Sequence, residues 1–113
     1  MANQQCSIFV TFQFEGFHCW PNAPEQHAYL RARHRHIFHV RAFAEVTHHD
    51  RDIEFIAFKR EMEQHVLSIK DDNKVQSWSC EMWASYLSNT FGCYRVEVSE
   101  DNENGAIYEI SGD

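Results

Sequence analysis

Three histidines of this 113-residue chain have the spacing of metal ligands. His34 and His36 are two residues apart in an alternating run, so both rings leave the same face of a strand. His18 ends an earlier alternating run, on its apolar face. If the two strands pair antiparallel, the end of the first meets the start of the second, and the three imidazoles converge. A nitrogen triad with an open fourth position suits catalytic zinc, whereas the alternative for each ring is a hydrogen-bonded place in the core.

The elements that must position these rings are two strands separated by a loop. From Ser7 to His18 apolar residues share one parity, which predicts a half-buried strand. The stretch from Cys19 to Arg33 contains both prolines and predicts a loop. A second alternating strand begins at His34, and His39 has the opposite parity to His34 and His36. His39 is therefore expected on the other face of the sheet, away from the three candidate ligands.

The apolar period then changes to helical steps. One face of a first helix is predicted from residues that recur every three or four positions: Phe55, Phe58, Met62, Val66 and Ile69. A second helix is expected to begin with Ser77 or Ser79 as its N-cap and to stop at Gly92. Two strands follow, with a tight hairpin turn predicted at Asn104-Gly105. The order ββααββ predicts one α+β domain over residues 1–113, with a four-stranded antiparallel sheet and two helices on one face.

Composition excludes several function classes. The net charge of −7 opposes a phosphate backbone, so nucleic acid is not expected as a partner. No stretch approaches the roughly 20 apolar residues of a membrane span, and the first residues do not resemble a signal peptide. The four cysteines lack the close spacing of a zinc finger or a redox motif. These features predict a cytoplasmic protein with free thiols and no membrane association.

The ligand motifs resemble those of the 6-pyruvoyl-tetrahydropterin synthase and 6-carboxy-tetrahydropterin synthase family. Phe14-Glu15-Gly16-Phe17-His18 is similar to the Phe-x-Ala-x-His at the end of that family's first strand, whose histidine is a zinc ligand. His34-Arg35-His36 stands where the family has His-Gly-His, its other two ligands. The resemblance therefore implies Zn²⁺ as the cofactor, held by His18, His34 and His36.

Further motifs extend the resemblance in the same order along nearly the whole chain. Ile53-Glu54-Phe55 resembles the Val/Ile-Asp-Phe that opens the family's first helix, and Ser79-Cys80-Glu81 resembles the Thr-Ser/Ala-Glu that opens the second. Val98-Ser99-Glu100, with Gly105 and Tyr108, resembles the last hairpin, in which a glutamate grips the pterin ring. The implied fold is the tunnelling fold. The implied assembly is a homo-oligomer, a trimer-based ring or a hexamer, that covers the open edges of the sheet.

The resemblance also implies a substrate site. Glu100 ends an apolar stripe, and a carboxylate there matches the two N–H groups on the amino-pyrimidinone edge of a pterin. Ser79 and Cys80 are expected to assist it with backbone or hydroxyl groups. The family's chemistry is a zinc-dependent lyase step that serves tetrahydrobiopterin or queuosine biosynthesis.

The sequence departs from the family where the catalytic base should be. Ala28-Tyr29-Leu30 occupies the stretch that carries the family's cysteine, and the connection between the helices has aspartates but no Asp-His pair. Glu25 is the predicted replacement base, because a loop carboxylate beside a zinc site can accept a proton. Two alternatives remain open: a non-catalytic module that binds a pterin or a purine-like ligand, and an oligomer in which zinc is purely structural.

Overall fold

A computed structural model describes residues 5–111 and contains one four-stranded antiparallel sheet. Strand β1, Cys6–His18, pairs with β2, His34–Val46, along its entire length. Strands β3, Arg95–Glu100, and β4, Asn104–Glu109, continue the sheet in the order β1-β2-β3-β4. Both strands predicted around the histidines are therefore confirmed, and so is their antiparallel pairing.

Two helices cover one face of the sheet. Helix α1 spans Phe55–Ile69 and α2 spans Cys80–Phe91. The core consists of strand residues of a single parity packed against the inner sides of the helices: Val10, Phe12, Phe14, Phe38, Val40, Ala42, Ala44, Val96 and Val98 from the sheet, and Met62, Val66, Trp83, Ala84 and Leu87 from the helices. Burying this apolar surface is the main force that fixes the sheet against the helices. The predicted α+β class with a four-stranded antiparallel sheet is confirmed.

The helix ends follow the local chemistry of their residues. The Glu54 carboxylate accepts hydrogen bonds from the backbone N–H groups of Ile56 and Ala57, and so caps α1. Of the two predicted caps for α2, the structure uses Ser79, whose Oγ accepts from the N–H of Met82 at 3.1 Å. Gly92 ends α2 in the left-handed conformation, with φ of 68°.

Two connections contain more regular structure than their sequences indicated. The predicted loop between β1 and β2 includes a short 3₁₀ helix, Glu25–Leu30. The polar connection between α1 and α2 ends in a second one, Val75–Ser77, which buries Val75 against the core. Both are short pieces without a periodic apolar pattern that local sequence reasoning could detect.

The last hairpin turn lies three residues before its predicted position. The chain reverses at Asp101–Asn102, which have φ of 55° and 63°, while Asn104 and Gly105 already belong to β4. Asp and Asn tolerate positive φ better than most residues, so this pair can form the turn without glycine. Gly105 is needed for space and not for the turn, because a Cβ there would lie 2.2 Å from the carbonyl oxygen of Val98. The prediction of a turn at Asn104-Gly105 was wrong.

No helix within residues 5–111 is long and apolar enough to cross a membrane.

Candidate metal centre

The three predicted ligands meet at one end of the β1–β2 pair. His18 and His34 are direct cross-strand partners, and His36 lies opposite Gly16 on the same face. The ring centroids of His34 and His36 are 4.7 Å apart, and that of His18 lies 5.2 Å from His34 and 6.2 Å from His36. A period of two on each strand and a fixed register are sufficient to bring the imidazoles together.

The backbone fixes the ring orientation of His34. Its Nδ1 lies 2.9 Å from the carbonyl oxygen of Ala32, and a carbonyl can only accept, so Nδ1 donates and carries the proton. The neutral ring then has a bare lone pair on Nε2. That atom is the one buried side-chain nitrogen or oxygen within residues 5–111 that has no hydrogen-bond partner. A buried lone pair without a donor is unfavourable unless something else binds it.

The surroundings of His18 shift its pKa. Withdrawal from water lowers the pKa of His18 below its ordinary value, and the neighbouring His34 and His36 lower it further. The charge of Glu100 and a hydrogen bond with the Trp78 backbone act in the opposite direction. The net shift favours the neutral imidazole, which is the form that binds metal ions.

Glu100 joins the histidines from the other side of β2. It pairs with Phe38 in the β2–β3 register, one diagonal step from His36. Its Oε2 lies 2.8 Å from Nε2 of His36. Ligand atoms of Glu100, His18 and His34 all lie within 4.8 Å of one another, and this is the one such set found in the described part of the chain. His36, the third predicted ligand, is not in this set and contacts it through Glu100. The sequence placed Glu100 at a substrate ring, and the structure places its carboxylate among the predicted metal ligands.

Asp101 is a site residue that the sequence analysis missed. Its Oδ2 lies 2.7 Å from Nδ1 of His36, while its Oδ1 accepts from the N–H of Ile37 at 2.9 Å. The donation from Ile37 and the contact with His36 lower the pKa of the Asp101 carboxyl. The signal that could have revealed it is the Asp-Asn pair next to Glu100, since these residue types tolerate the backbone of a tight turn.

A cavity of about 410 Å³ opens onto the cluster at His18. Its wall consists of apolar and polar side chains from the β1–β2 loop, the 3₁₀ helix Val75–Ser77 and the start of α2: Trp20, Leu30, Ser77, Ser79, Glu81 and Met82. Ser79 was predicted from the sequence to bind substrate, and the structure places it in this wall. The cavity therefore combines an indole, two hydroxyls and one carboxylate next to the imidazole of His18, a candidate metal ligand.

Cys80 lies beside this wall but is buried. Burial raises the pKa of its thiol to about 12, with further contributions from the charges of Glu100 and Glu81. A thiol of this kind stays protonated at neutral pH, so it is not an activated nucleophile. The predicted role of Cys80 in substrate binding stays a prediction.

The structure does not bring Glu25 to the cavity. Its side chain is 90% exposed and pairs with Arg31 at 3.1 Å. Asp72, in the connection between the helices, uses Oδ1 to accept from the N–H of Lys74 at 2.8 Å, which is a local turn contact. Neither carboxylate faces the candidate metal ligands in this chain.

A second cavity, of about 450 Å³, lies at the opposite end of β1 around the turn at residues 47–54. Its carboxylates serve the local backbone: Asp52 accepts from the N–H and hydroxyl of Thr47 at 2.7 and 2.9 Å, and Glu54 caps α1. These contacts fix the turn and the start of α1.

Comparison with protein-family models gives no match, and no curated protein matches the sequence.

Proposed function

We propose that this chain is a zinc-binding, pterin-synthase-like protein that acts on or binds a dihydropterin. The observation that carries the proposal is the buried Nε2 of His34, which has no partner and faces a second imidazole and a carboxylate at ligand spacing. An orphaned lone pair inside a cluster of imidazoles with one carboxylate fits a cation. Nitrogen and oxygen donors in this combination suit zinc and its neighbours among the divalent transition metals.

His18, His34 and His36 are the residues that would hold the ion, with Glu100 beside them. In the metal-free protein a proton can occupy the 2.8 Å contact between His36 and Glu100, and a cation would take its place. The negative charge of Glu100 would offset part of the ion's charge in a half-buried site. When bound, zinc supplies Lewis-acid polarisation of an oxygen on the substrate side chain.

The cavity at His18 is the proposed ligand site. Its volume of about 410 Å³ lies within the range of small-molecule pockets, and its lining is mainly apolar with a few polar groups. Trp20 offers an aromatic face for a flat bicyclic ring. The carboxylate of Glu81 and the hydroxyl of Ser79 offer acceptors for ring N–H groups. A pterin or a guanine-like ring has the flat shape and the paired donors that this wall requires.

Two carboxylates, those of Glu100 and Glu81, are candidates for the ring-recognition role that was predicted for Glu100. The sequence motif assigns ring recognition to Glu100, and its contact with His36 supports a role toward the metal instead. We propose that Glu81, in the cavity wall, recognises the ring, and that Glu100 completes the charge of the metal centre. Ring recognition by Glu100 remains the competing assignment. The variants Glu100→Gln and Glu81→Gln distinguish the two assignments.

Lyase activity of the tetrahydrobiopterin or queuosine route is the first form of this proposal, with Glu25 as the nominated base. The second form is a non-catalytic module that binds a pterin or a purine-like ligand. The exposure of Glu25 and its pairing with Arg31 favour the second form, because a base must reach the proton that it abstracts.

Assembly belongs to the proposal as well. Strand β1 is a 13-residue edge of the sheet, and β4 forms the other edge. Long edges expose unpaired backbone groups, so we propose that copies of the chain pair edge to edge in a tunnelling-fold ring, as a trimer or a hexamer. Light scattering at micromolar concentration tests this, and a monomer under these conditions would contradict it.

The central experiment measures zinc and ligand on the same wild-type preparation. Protein purified without chelators should contain about one zinc per chain by elemental analysis. Calorimetry with a dihydropterin, a pterin and guanine should then detect binding by at least one ring. Zinc without any ring binding would support the structural-zinc alternative, and protein without a transition metal would overturn the proposal.

A further inference from the structure

Asp101 lies in the turn between β3 and β4 and contacts the start of β2 through three groups. Its N–H donates to the carbonyl of Ile37 at 2.7 Å, its Oδ1 accepts from the N–H of Ile37 at 2.9 Å, and its Oδ2 lies 2.7 Å from Nδ1 of His36. Its φ of 55° is uncommon for a residue other than glycine. The first two contacts hold the turn to the strand, and only the third is made with the imidazole of His36.

The contact with Oδ2 places a proton on Nδ1 of His36. An ionised carboxylate has no hydrogen to donate, so a hydrogen bond at 2.7 Å requires the proton on Nδ1. The proton in the 2.8 Å contact between Nε2 and Glu100 is then the one that a cation would displace, which leaves the lone pair of Nε2 to the ion. The Ala32 carbonyl imposes the same state on His34. Two adjacent rings are therefore oriented with their Nε2 atoms toward the cluster.

We propose that Asp101 is a positioning residue of the metal centre, which keeps Nε2 of His36 available to the cation and fixes the plane of the ring. This inference rests on the proposed metal site and extends it to a residue outside the ligand set. Partners of this kind raise the basicity of a ligating histidine, and their loss typically weakens metal binding about 10- to 100-fold.

Asp101→Asn tests the proposal with little change in shape. The amide oxygen can still accept from the N–H of Ile37, as Oδ1 does now. The amide nitrogen then faces Nδ1 of His36, and because it can only donate, it favours the tautomer with the proton on Nε2. The matched control is Glu103→Gln, which removes the same charge from an exposed side chain in the same turn.

The first readout is zinc affinity by competition with a chromogenic chelator. Asp101→Asn should bind zinc about 10- to 100-fold more weakly than wild type, and Glu103→Gln should stay within about 2-fold. The second readout is the ring Nδ1–H signal of His36 in ¹⁵N-labelled, zinc-saturated protein. This signal should be present and slow to exchange in wild type and lost in Asp101→Asn. A general loosening of the fold would instead affect the signals of other residues as well.

Unfolding in the presence of a chelator shows whether Asp101→Asn is folded. If Asp101→Asn is not folded, Asp101→Glu and Asp101→Gln are compared instead. Asp101→Glu should bind zinc more tightly than Asp101→Gln, because a carboxylate can only accept hydrogen bonds from His36. Equal zinc affinity of wild type and Asp101→Asn, or of the Glu and Gln variants, would overturn the role of Asp101 alone. A wild type that binds no zinc would overturn the proposed metal centre itself.

Discussion

His18 and His34 are cross-strand partners in the β1–β2 register, and their rings meet edge to face, 5.2 Å apart at 87°. The pair forms because His18 ends β1, His34 begins β2, and the two strands are antiparallel. Nothing else in the sheet brings two imidazoles into direct register among the paired residues. This relationship makes the histidine end of the sheet the place where a metal is expected.

Removing one member of that pair should remove most of the metal. His34→Ala deletes the buried Nε2 and leaves at most three of the four candidate donors, so bound zinc should fall well below that of wild type after dialysis. His39→Ala is the matched control, because His39 lies on β2 with the opposite parity and should leave zinc unchanged. Elemental analysis measures both variants. Equal zinc in His34→Ala and wild type would exclude His34 as a ligand.

The roles of the two carboxylates separate in a pair of isosteric variants. Glu100→Gln should weaken zinc binding by about 10-fold or more, since it removes the charge beside His36. Glu81→Gln should leave zinc unchanged and weaken binding of a pterin by about 10- to 100-fold, as expected for a lost charge-assisted hydrogen bond of about 1.5–3 kcal/mol. Chelator competition and calorimetry provide the two numbers. The reverse result, with zinc retained and pterin lost in Glu100→Gln, would assign ring recognition to Glu100.

Turnover should be slow compared with a pterin synthase that has an ordinary base. A positioned base contributes about 10²- to 10⁴-fold, and here Glu25 points to solvent and pairs with Arg31. Product formation from a dihydropterin triphosphate is the measurement, with Glu25→Gln beside wild type. Glu61→Gln, at an exposed position on α1, controls for the loss of one surface charge. If wild type is as fast as such a synthase and Glu25→Gln is inactive, the slow-turnover expectation fails and Glu25 is the base.

Acid should destabilise the turn at the other end of the molecule through Asp52. Hydrogen bonds from the N–H and hydroxyl of Thr47 lower the pKa of this carboxyl below 3.8. The unfolded chain therefore binds a proton at higher pH than the folded chain does. The stabilisation is fully present above about pH 4 and is lost as the pH falls through the folded pKa.

Urea unfolding of metal-free protein at pH 6 and pH 3 measures this loss. Asp52→Asn should be less stable than wild type at pH 6, and the difference should shrink at pH 3. Asp50→Asn, two residues earlier in the same turn, removes an equal charge and should show a smaller effect. A difference between wild type and Asp52→Asn that does not depend on pH would contradict the assignment.

The sequence determined much of this protein through local periodicity. A period of two placed His18, His34 and His36 on one face of their strands, and helical steps placed Met62 and Val66 in the core. These patterns survive because each strand and helix buries one side against the same core. Ser79 and Gly92 likewise mark the ends of α2 through their own backbone and side-chain chemistry.

The tertiary structure alone decided what stands beside the histidines. Glu100 and Asp101 reach His36 from 64 and 65 residues away, through the register of β3 on β2. The strands β3 and β4 pack against α2 and are joined by a turn at Asp101–Asn102, three residues from the one that Asn104-Gly105 indicated. A shift of one residue would have turned Glu100 to the opposite face of the sheet. Periodicity specifies the face on which a side chain lies, and only the pairing of distant strands specifies its neighbours.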